Sequence, residues 1–217
     1  MKMVVVASGD LDPTDATVLD DADFVIAADG GATALDRLGR RPDLLVGDLD
    51  STDPALVARL VAAGTKVERH PIDKDASDTE LAIAAALAEG GDEIVLLGAT
   101  GGDRLDHAIA NLLMLADPAM AGCDVRIVHG PTTVRVVRGG ERMSLVGGAG
   151  DTISLLPVGG DADGIRTEGL RWMLDGARLA VGHSRGLSNE VLSTPASVRL
   201  ERGTLLVVET AAREAPQ

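Results

Sequence analysis

Two aspartates one residue apart, Asp48 and Asp50 in Gly47-Asp48-Leu49-Asp50-Ser51, follow directly on the apolar run Leu44-Leu45-Val46. If extended geometry persists past the run, both carboxylates point to one side, and two anions held together need a cation. Mg²⁺ suits such a pair, because it prefers oxygen ligands and shares them with phosphates and water. An isolated Asp-x-Asp is more often a solvated acidic turn, and only its context points to a metal. A second acidic cluster, Asp73-Lys74-Asp75-Ala76-Ser77-Asp78, leads into a helical pattern. Capping alone accounts for Asp78. It does not account for Asp73 and Asp75 around a lone Lys74, whose ammonium could meet a phosphate. The third piece is Gly98-Ala99-Thr100-Gly101-Gly102-Asp103-Arg104-Leu105-Asp106-His107, a glycine-rich turn of the kind that lets backbone N–H groups approach phosphate oxygens. It matches neither the P-loop nor the dinucleotide fingerprint. Asp29-Gly30-Gly31 and Ser8-Gly9 are two further polar turns after apolar runs.

The elements that must position these turns alternate in type. Val4-Val5-Val6, Phe24-Val25-Ile26, Leu44-Leu45-Val46, Ile94 to Leu97 and Val125 to Val128 read as short strands, separated by helical patterns. This is the signature of an α/β fold with a doubly wound, mostly parallel sheet. Asp53 caps a helix with Pro54 at its first position and Leu56, Val57, Leu60 and Val61 on one face, ending near Gly64. Ser77 to Glu80 fits a capping box for a second helix, with Leu81, Ala84, Ala85 and Ala88 as its apolar stripe. A third follows Gly101-Gly102 and stops near Asp117-Pro118. In a doubly wound sheet, the polar turns after successive strands converge on one edge, where ligands of such folds sit.

From about residue 131 the helical period gives way to short alternating segments between glycine-rich turns, such as Val134-Arg135-Val136, Ser197 to Leu200 and Leu205 to Val208. A smaller all-β sandwich is expected, with the division near Gly130-Pro131 or Gly139-Gly140 and the domains taken as 1–133 and 134–217.

A formal net charge of -14 argues against nucleic acid and anionic membranes as partners. No apolar run approaches the ~18 residues of a membrane span, and the Met3–Ala7 run is too short for a signal-peptide core, so a cytoplasmic protein is expected. Cys123 is alone, which leaves no disulfide framework. Aromatic residues make up 1% of the chain, so Trp172 is conspicuous either as a core filler or as a stacking surface.

Ala28-Asp29-Gly30-Gly31, Gly47 to Ser51, Asp73 to Asp78, Gly101-Gly102 with Arg104 to His107, and Leu187-Ser188-Asn189-Glu190 together closely resemble the thiamine pyrophosphokinase family, in family order and over nearly the whole chain. The resemblance implies an α/β nucleotide-binding catalytic domain and a β-sandwich thiamine-binding domain. It further implies a homodimer with active sites at the subunit interface, and transfer of the pyrophosphoryl group of Mg·ATP to the hydroxyethyl group of thiamine with release of AMP. Asp48, Asp50 and Asp78 match the family's metal-site aspartates, and Asp106 another catalytic carboxylate. Asp29, Gly30, Lys74, Asp75, Thr100, Gly101, Gly102, Arg104 and His107 would bind the nucleotide. Trp172, Ser188 and Asn189 match positions that hold thiamine. Asp103 is an insertion relative to the family's Gly-Gly-Arg. Taken alone, Ser188-Asn189 is an ordinary turn and His107 a solvent-facing helix residue. A related pyrophosphokinase for a pterin alcohol, or a non-catalytic nucleotide or thiamine sensor, are the competing readings.

Overall fold

The computed structural model describes residues 1–212; the last five residues of the expected β domain, 213–217, lie outside the described residues. The chain divides into two compact units between Gly130 and Pro131.

In the first unit, β1 (Lys2–Val6), β2 (Phe24–Ala28), β3 (Leu44–Gly47), β4 (Lys66–Arg69), β5 (Glu93–Leu97) and β6 (Asp124–His129) lie in the order β6-β5-β1-β2-β3-β4, every pair parallel. The sequence winds outward from β1 to β4, then crosses back to place β5 on the other side of β1. This reversal of winding makes the carboxyl ends of β1 and β5 a topological switch point. Val4, Val6, Ala27, Leu45, Val95 and Leu97 form one core with Ala32 and Leu35 of α1 (Gly31–Arg37) and Leu56, Val57 and Leu60 of α2 (Pro54–Ala62). The opposite pleats of the buried strands, such as Met3 and Val5, are equally sealed from water, as both faces of a parallel sheet must be. α3 (Asp78–Ala88) packs on β1, β2 and β3.

Three local expectations change. α2 begins as read, with Asp53 accepting from Ala55 N at 2.9 Å, but Val61 is half exposed. α3 buries Thr79, Ala82, Ile83 and Ala86, not the Leu81, Ala84, Ala85, Ala88 stripe. Ten of its residues after Asp78 include only one charge, Glu80, so composition offers two apolar faces and the sheet selects one. Its start is also a simpler cap than the box expected: Ser77 Oγ accepts from Glu80 N at 3.2 Å. β4, Lys-Val-Glu-Arg, carries no apolar alternation because it is a largely exposed edge strand.

The second unit is a sandwich. β7 (Thr132–Arg138), β8 (Arg142–Ser144), β9 (Thr152–Pro157), β10 (Ala162–Glu168), β11 (Ala177–Leu179), β12 (Asn189–Glu190), β13 (Ser197–Arg199) and β14 (Thr204–Thr210) form two antiparallel layers, β12-β9-β14-β7 and β11-β10-β13-β8. Val137, Ile153, Leu155, Leu205 and Val207 from one layer meet Ile165, Leu179 and Val198 from the other in a single aliphatic core. Alternate residues of β14 and its neighbours point away from that core, which is the period-two pattern the sequence displayed.

Candidate active site

A cleft of about 370 Å³ opens at the switch point of the first unit. Its walls are the turns after β1 (Ser8, Gly9), β2 (Asp29), β3 (Asp48, Asp50, Ser51) and β5 (Gly98, Ala99, Gly101, Gly102), closed by Asp78 and Thr79 of α3 and by Arg104, His107 and Asn111 of α4 (Leu105–Met114) and its approach. Gly30, Lys74, Asp75, Thr100 and Asp106, the last expected to be a catalytic carboxylate, lie outside this lining, with Gly30 packed closely against Ser8 and Ser51. Two of the turns touch backbone to backbone. Gly9 N donates to Gly98 O at 2.9 Å, and a Cβ on Gly9 would lie 2.3 Å from that oxygen and 2.5 Å from Gly101 O. Asn111, the one buried residue of α4, donates from Nδ2 to Ala99 O at 2.7 Å and so ties the helix to the end of β5.

Three carboxylates meet on the β2–β3 side of the cleft. Asp29, Asp48 and Asp78 each offer one oxygen within 4.8 Å of the others. Asp29 is buried with a left-handed φ of 42°, its two oxygens accepting from the hydroxyls of Ser51 and Thr52. Asp48 Oδ1 accepts from Asp50 N at 3.2 Å and Oδ2 from Lys74 Nζ at 2.7 Å. Lys74 Nζ also lies 2.8 Å from Asp78 Oδ1. That buried oxygen sits outside hydrogen-bond geometry, so the ammonium holds it by charge and leaves its lone pairs undirected.

Asp50 is not in the cluster. Extended geometry ends at Gly47, and Leu49 adopts a φ of 65°, so the two-residue alternation expected to align Asp48 with Asp50 is broken. Asp50 instead lines the exposed rim of the cleft, where the neighbouring charge of Asp48 and burial raise its carboxyl above the ordinary range. The hydrogen bond from Lys74, followed by that from Asp50 N, lowers Asp48. Burial alone would lower the Lys74 ammonium, but its hydrogen bond to Asp48 and its close ion pair with Asp78 outweigh this and raise it.

On the opposite wall, Arg104 grips Asp106 through Nε at 3.0 Å and an Nη at 2.7 Å. This bidentate bond holds the Asp106 carboxyl far below the usual carboxylate range. Arg104 also occupies the N-cap of α4 without a side-chain cap.

In the second unit, Trp172 is 58% exposed, so its ring is a surface and not a core filler. The Arg171 guanidinium covers it at 5.5 Å from the ring centroid. Buried Asn189 fixes the Trp172 backbone from both sides, accepting from Trp172 N at 3.0 Å and donating to Trp172 O at 2.8 Å. Its amide thereby positions that loop. Ser188 adopts a φ of 57° and anchors its N–H on Ser154 Oγ at 3.1 Å.

Ser51, Thr52 and Asn111 are functional neighbours that sequence reasoning did not single out. Asn111 alone carried a readable signal, as an amide within the apolar stretch Ala108 to Met114.

Comparison with known proteins adds independent weight. The family model described as thiamin pyrophosphokinase, catalytic domain, matches residues 16–127, just over half the chain, and the one described as thiamin pyrophosphokinase, vitamin B1 binding domain, matches residues 141–205. The chain is 24% identical to a thiamine pyrophosphokinase of Bacillus subtilis, over 97% of its own length and 99% of the relative's. The crystal structure of thiamine pyrophosphokinase from that organism superposes with a TM-score of 0.87 at 22% identity, covering 98% of this chain and 100% of that one. That from Geobacillus thermodenitrificans superposes with a TM-score of 0.84 at 25% identity, covering both chains completely. With its catalytic half matched by the family model and its cleft built from the turns that half supplies, the chain belongs to the thiamin pyrophosphokinase family.

Proposed function

We propose that the chain transfers the pyrophosphoryl group of Mg·ATP to thiamine, giving thiamine diphosphate and AMP. The observation that carries this is the Asp29, Asp48, Asp78 cluster opening onto a glycine-lined cleft at the switch point. The donor set fits Mg²⁺: it is all oxygen, and one of its oxygens, Asp78 Oδ1, is buried without a hydrogen bond. Asp29, Asp48 and Asp78 would hold the cation, and Asp50, which feels the charge of all three, stands next to them on the rim. When bound, Mg²⁺ neutralises the charge of the triphosphate and of the transition state.

The remaining work falls to the chain's own groups. The close-packed turns of Gly9, Gly98, Gly101 and Gly102 leave room for a phosphate chain against backbone, with His107 beside it and Gly30, Asp75 and Thr100 supporting the turns from outside the lining. Lys74 and Arg104 offset negative charge on the phosphates, and the hydroxyethyl oxygen of thiamine attacks the β-phosphorus in line with departing AMP. In such loose transfers the hydroxyl proton leaves late. Asp78, which lines the cleft, is the acceptor placed to take it; Asp106 lies outside the lining and is a weak base for as long as Arg104 holds it. The Trp172 ring offers a flat, electron-rich face for the thiazolium cation, set in place by Asn189 with Ser188 beside it. Incubation with ATP and Mg²⁺, with and without thiamine, tests this reading. Thiamine-dependent AMP supports it, ADP or no turnover overturns it, and AMP formed only with a pterin alcohol reassigns the acceptor.

Trp172→Ala is expected to raise the KM for thiamine about tenfold with little change in kcat, the worth of one desolvated cation–π contact. A steady-state KM within twofold of wild type would remove Trp172 from the thiamine site.

A homodimer, in which the β-sandwich of one subunit serves the cleft of its partner, is supported by the surface of α4. Leu105, Ile109 and Leu113 recur at helical spacing and are each about half or more exposed, directly beyond the glycine-rich loop. Ile109→Glu is expected to halve the mass seen by light scattering; an unchanged dimer, or a monomeric wild type, goes against this interface. Among the described residues no helix is long and apolar enough to cross a membrane. The cytoplasm, where ATP is abundant, is the proposed compartment.

A further inference from the structure

We infer that Lys74 is the resident counter-ion of the carboxylate cluster, a positioning residue whose ammonium leaves Asp48 and Asp78 as a divalent cation enters and then meets the substrate's phosphates. The inference rests on the metal reading above.

Three carboxylates within 4.8 Å of one another repel strongly unless a positive charge sits among them. Among the described residues, Lys74 is the only lysine or arginine ion-paired to any of the three. Its Nζ lies 2.7 Å from Asp48 and 2.8 Å from Asp78, and its side chain is 13% exposed. A divalent cation at ~2.1 Å from carboxylate oxygens would share this small space with an ammonium of the same sign. The two occupancies are therefore alternatives.

Several features make the ammonium a replaceable occupant. Its contact with Asp78 lacks hydrogen-bond direction, so only the bond to Asp48 fixes it geometrically. Lys74 belongs to the irregular stretch between β4 and α3, free of any sheet or helix ladder. Lysine is a compact charge on a long flexible stem, able to swing without backbone movement. A pre-filled site also keeps the apo cluster folded, so the metal arrives at carboxylates already in place. Asp48 and Asp78 line the cleft and Lys74, bonded to both, does not, so an ammonium displaced from them is one side-chain swing from the cleft where the phosphates would lie.

Calorimetric titration of the full, nucleotide-free chain with Mn²⁺ alone, compared among wild type, Lys74→Met and Lys74→Arg, tests the exchange. Lys74→Met is expected to bind Mn²⁺ about tenfold more tightly, because the competing charge is gone, while Lys74→Arg stays within about twofold of wild type. The same Lys74→Met variant is expected to show a larger rise in melting temperature with Mn²⁺ than wild type. Equal or weaker Mn²⁺ binding by Lys74→Met overturns the exchange and leaves the metal site standing; no Mn²⁺ binding by any of the three overturns the metal site as well. If Lys74→Met fails to fold, the lysine Cε resonance of wild type that is missing in Lys74→Arg reports instead. That resonance shifts on addition of Mg²⁺ if the ammonium moves, and a stationary resonance overturns the inference.

Discussion

Asp48→Asn is expected to lower kcat/KM by about 10³-fold or more while leaving the fold intact, the largest loss of any single change in the cleft. The substitution preserves volume, and the new amide oxygen can still accept from Asp50 N, which donates to Asp48 Oδ1 at 3.2 Å in the native site. What disappears is charge at the centre of the cluster. The amide NH₂ would also face the Lys74 ammonium, donor against donor, where the native carboxylate accepts at 2.7 Å. Both a cation ligand and the partner that fixes Lys74 are lost together. Asp50→Asn should cost far less, about tenfold, because Asp50 is exposed on the rim and outside the cluster. Activity within tenfold of wild type in Asp48→Asn, with unchanged melting temperature, would remove the cluster from the reaction. The sign of the pH effect follows from the lowered Asp48 carboxyl. A carboxylate lowered by folding contributes stability that is present above its unfolded pKa, about 4, and lost as pH falls through the lower folded value. Asp48→Asn should therefore show a shallower loss of stability on acidification than wild type in denaturant titrations.

How much of this could be read from residues alone differs between the strands and what lies after them. Continuous apolar runs such as Val4 to Val6 and Ile94 to Leu97 had one sensible fate, a strand buried on both faces, and they became β1 and β5. The alternation in Leu205 to Val208 became β14 for the same kind of reason. Exposed β4 left no such trace, and α3 carried too many small apolar residues to reveal which face it would bury. In the site, residue types announced the chemistry, since clustered aspartates ask for a cation. The membership of the cluster depended on backbone torsions that composition does not encode. Leu49 in the left-handed region turns Asp50 away, while Asp29, also left-handed, brings a carboxylate from a turn 19 positions earlier in the chain. Ser51 and Thr52 became the partners of Asp29 through parallel pairing of β2 with β3, a contact no local pattern could reveal. Trp172 went the other way: composition allowed a core or a surface, and the Asn189 bonds to its backbone hold it on the surface.

Gly9→Ala is expected to lower both stability, by about 3 kcal/mol, and turnover, by at least about 10²-fold, although it adds one methyl group and removes no polar atom. The methyl would lie 2.3 Å from Gly98 O and 2.5 Å from Gly101 O, far inside contact distance, and both obstacles are backbone. A side chain could rotate away; a carbonyl can move only with its turn. Gly98 is itself tightly placed, with a φ of 63° and a Cβ position 2.7 Å from Ala7 O, so it has little freedom to retreat. The displacement must pass instead to Gly101-Gly102, the stretch proposed to lie along the nucleotide, and to Ala99, whose carbonyl accepts from Asn111 at 2.7 Å. A shift of the order of 1 Å in such a loop suffices for a 10²-fold loss, since the transfer depends on positioning. The two measurements separate the cause: the fall in turnover should persist at a temperature well below the lowered melting point, where the variant is fully folded. Recovery of wild-type kcat/KM there would mean that the turns tolerate the methyl, and that close backbone contact between the ends of β1 and β5 is not what shapes the nucleotide side of the cleft.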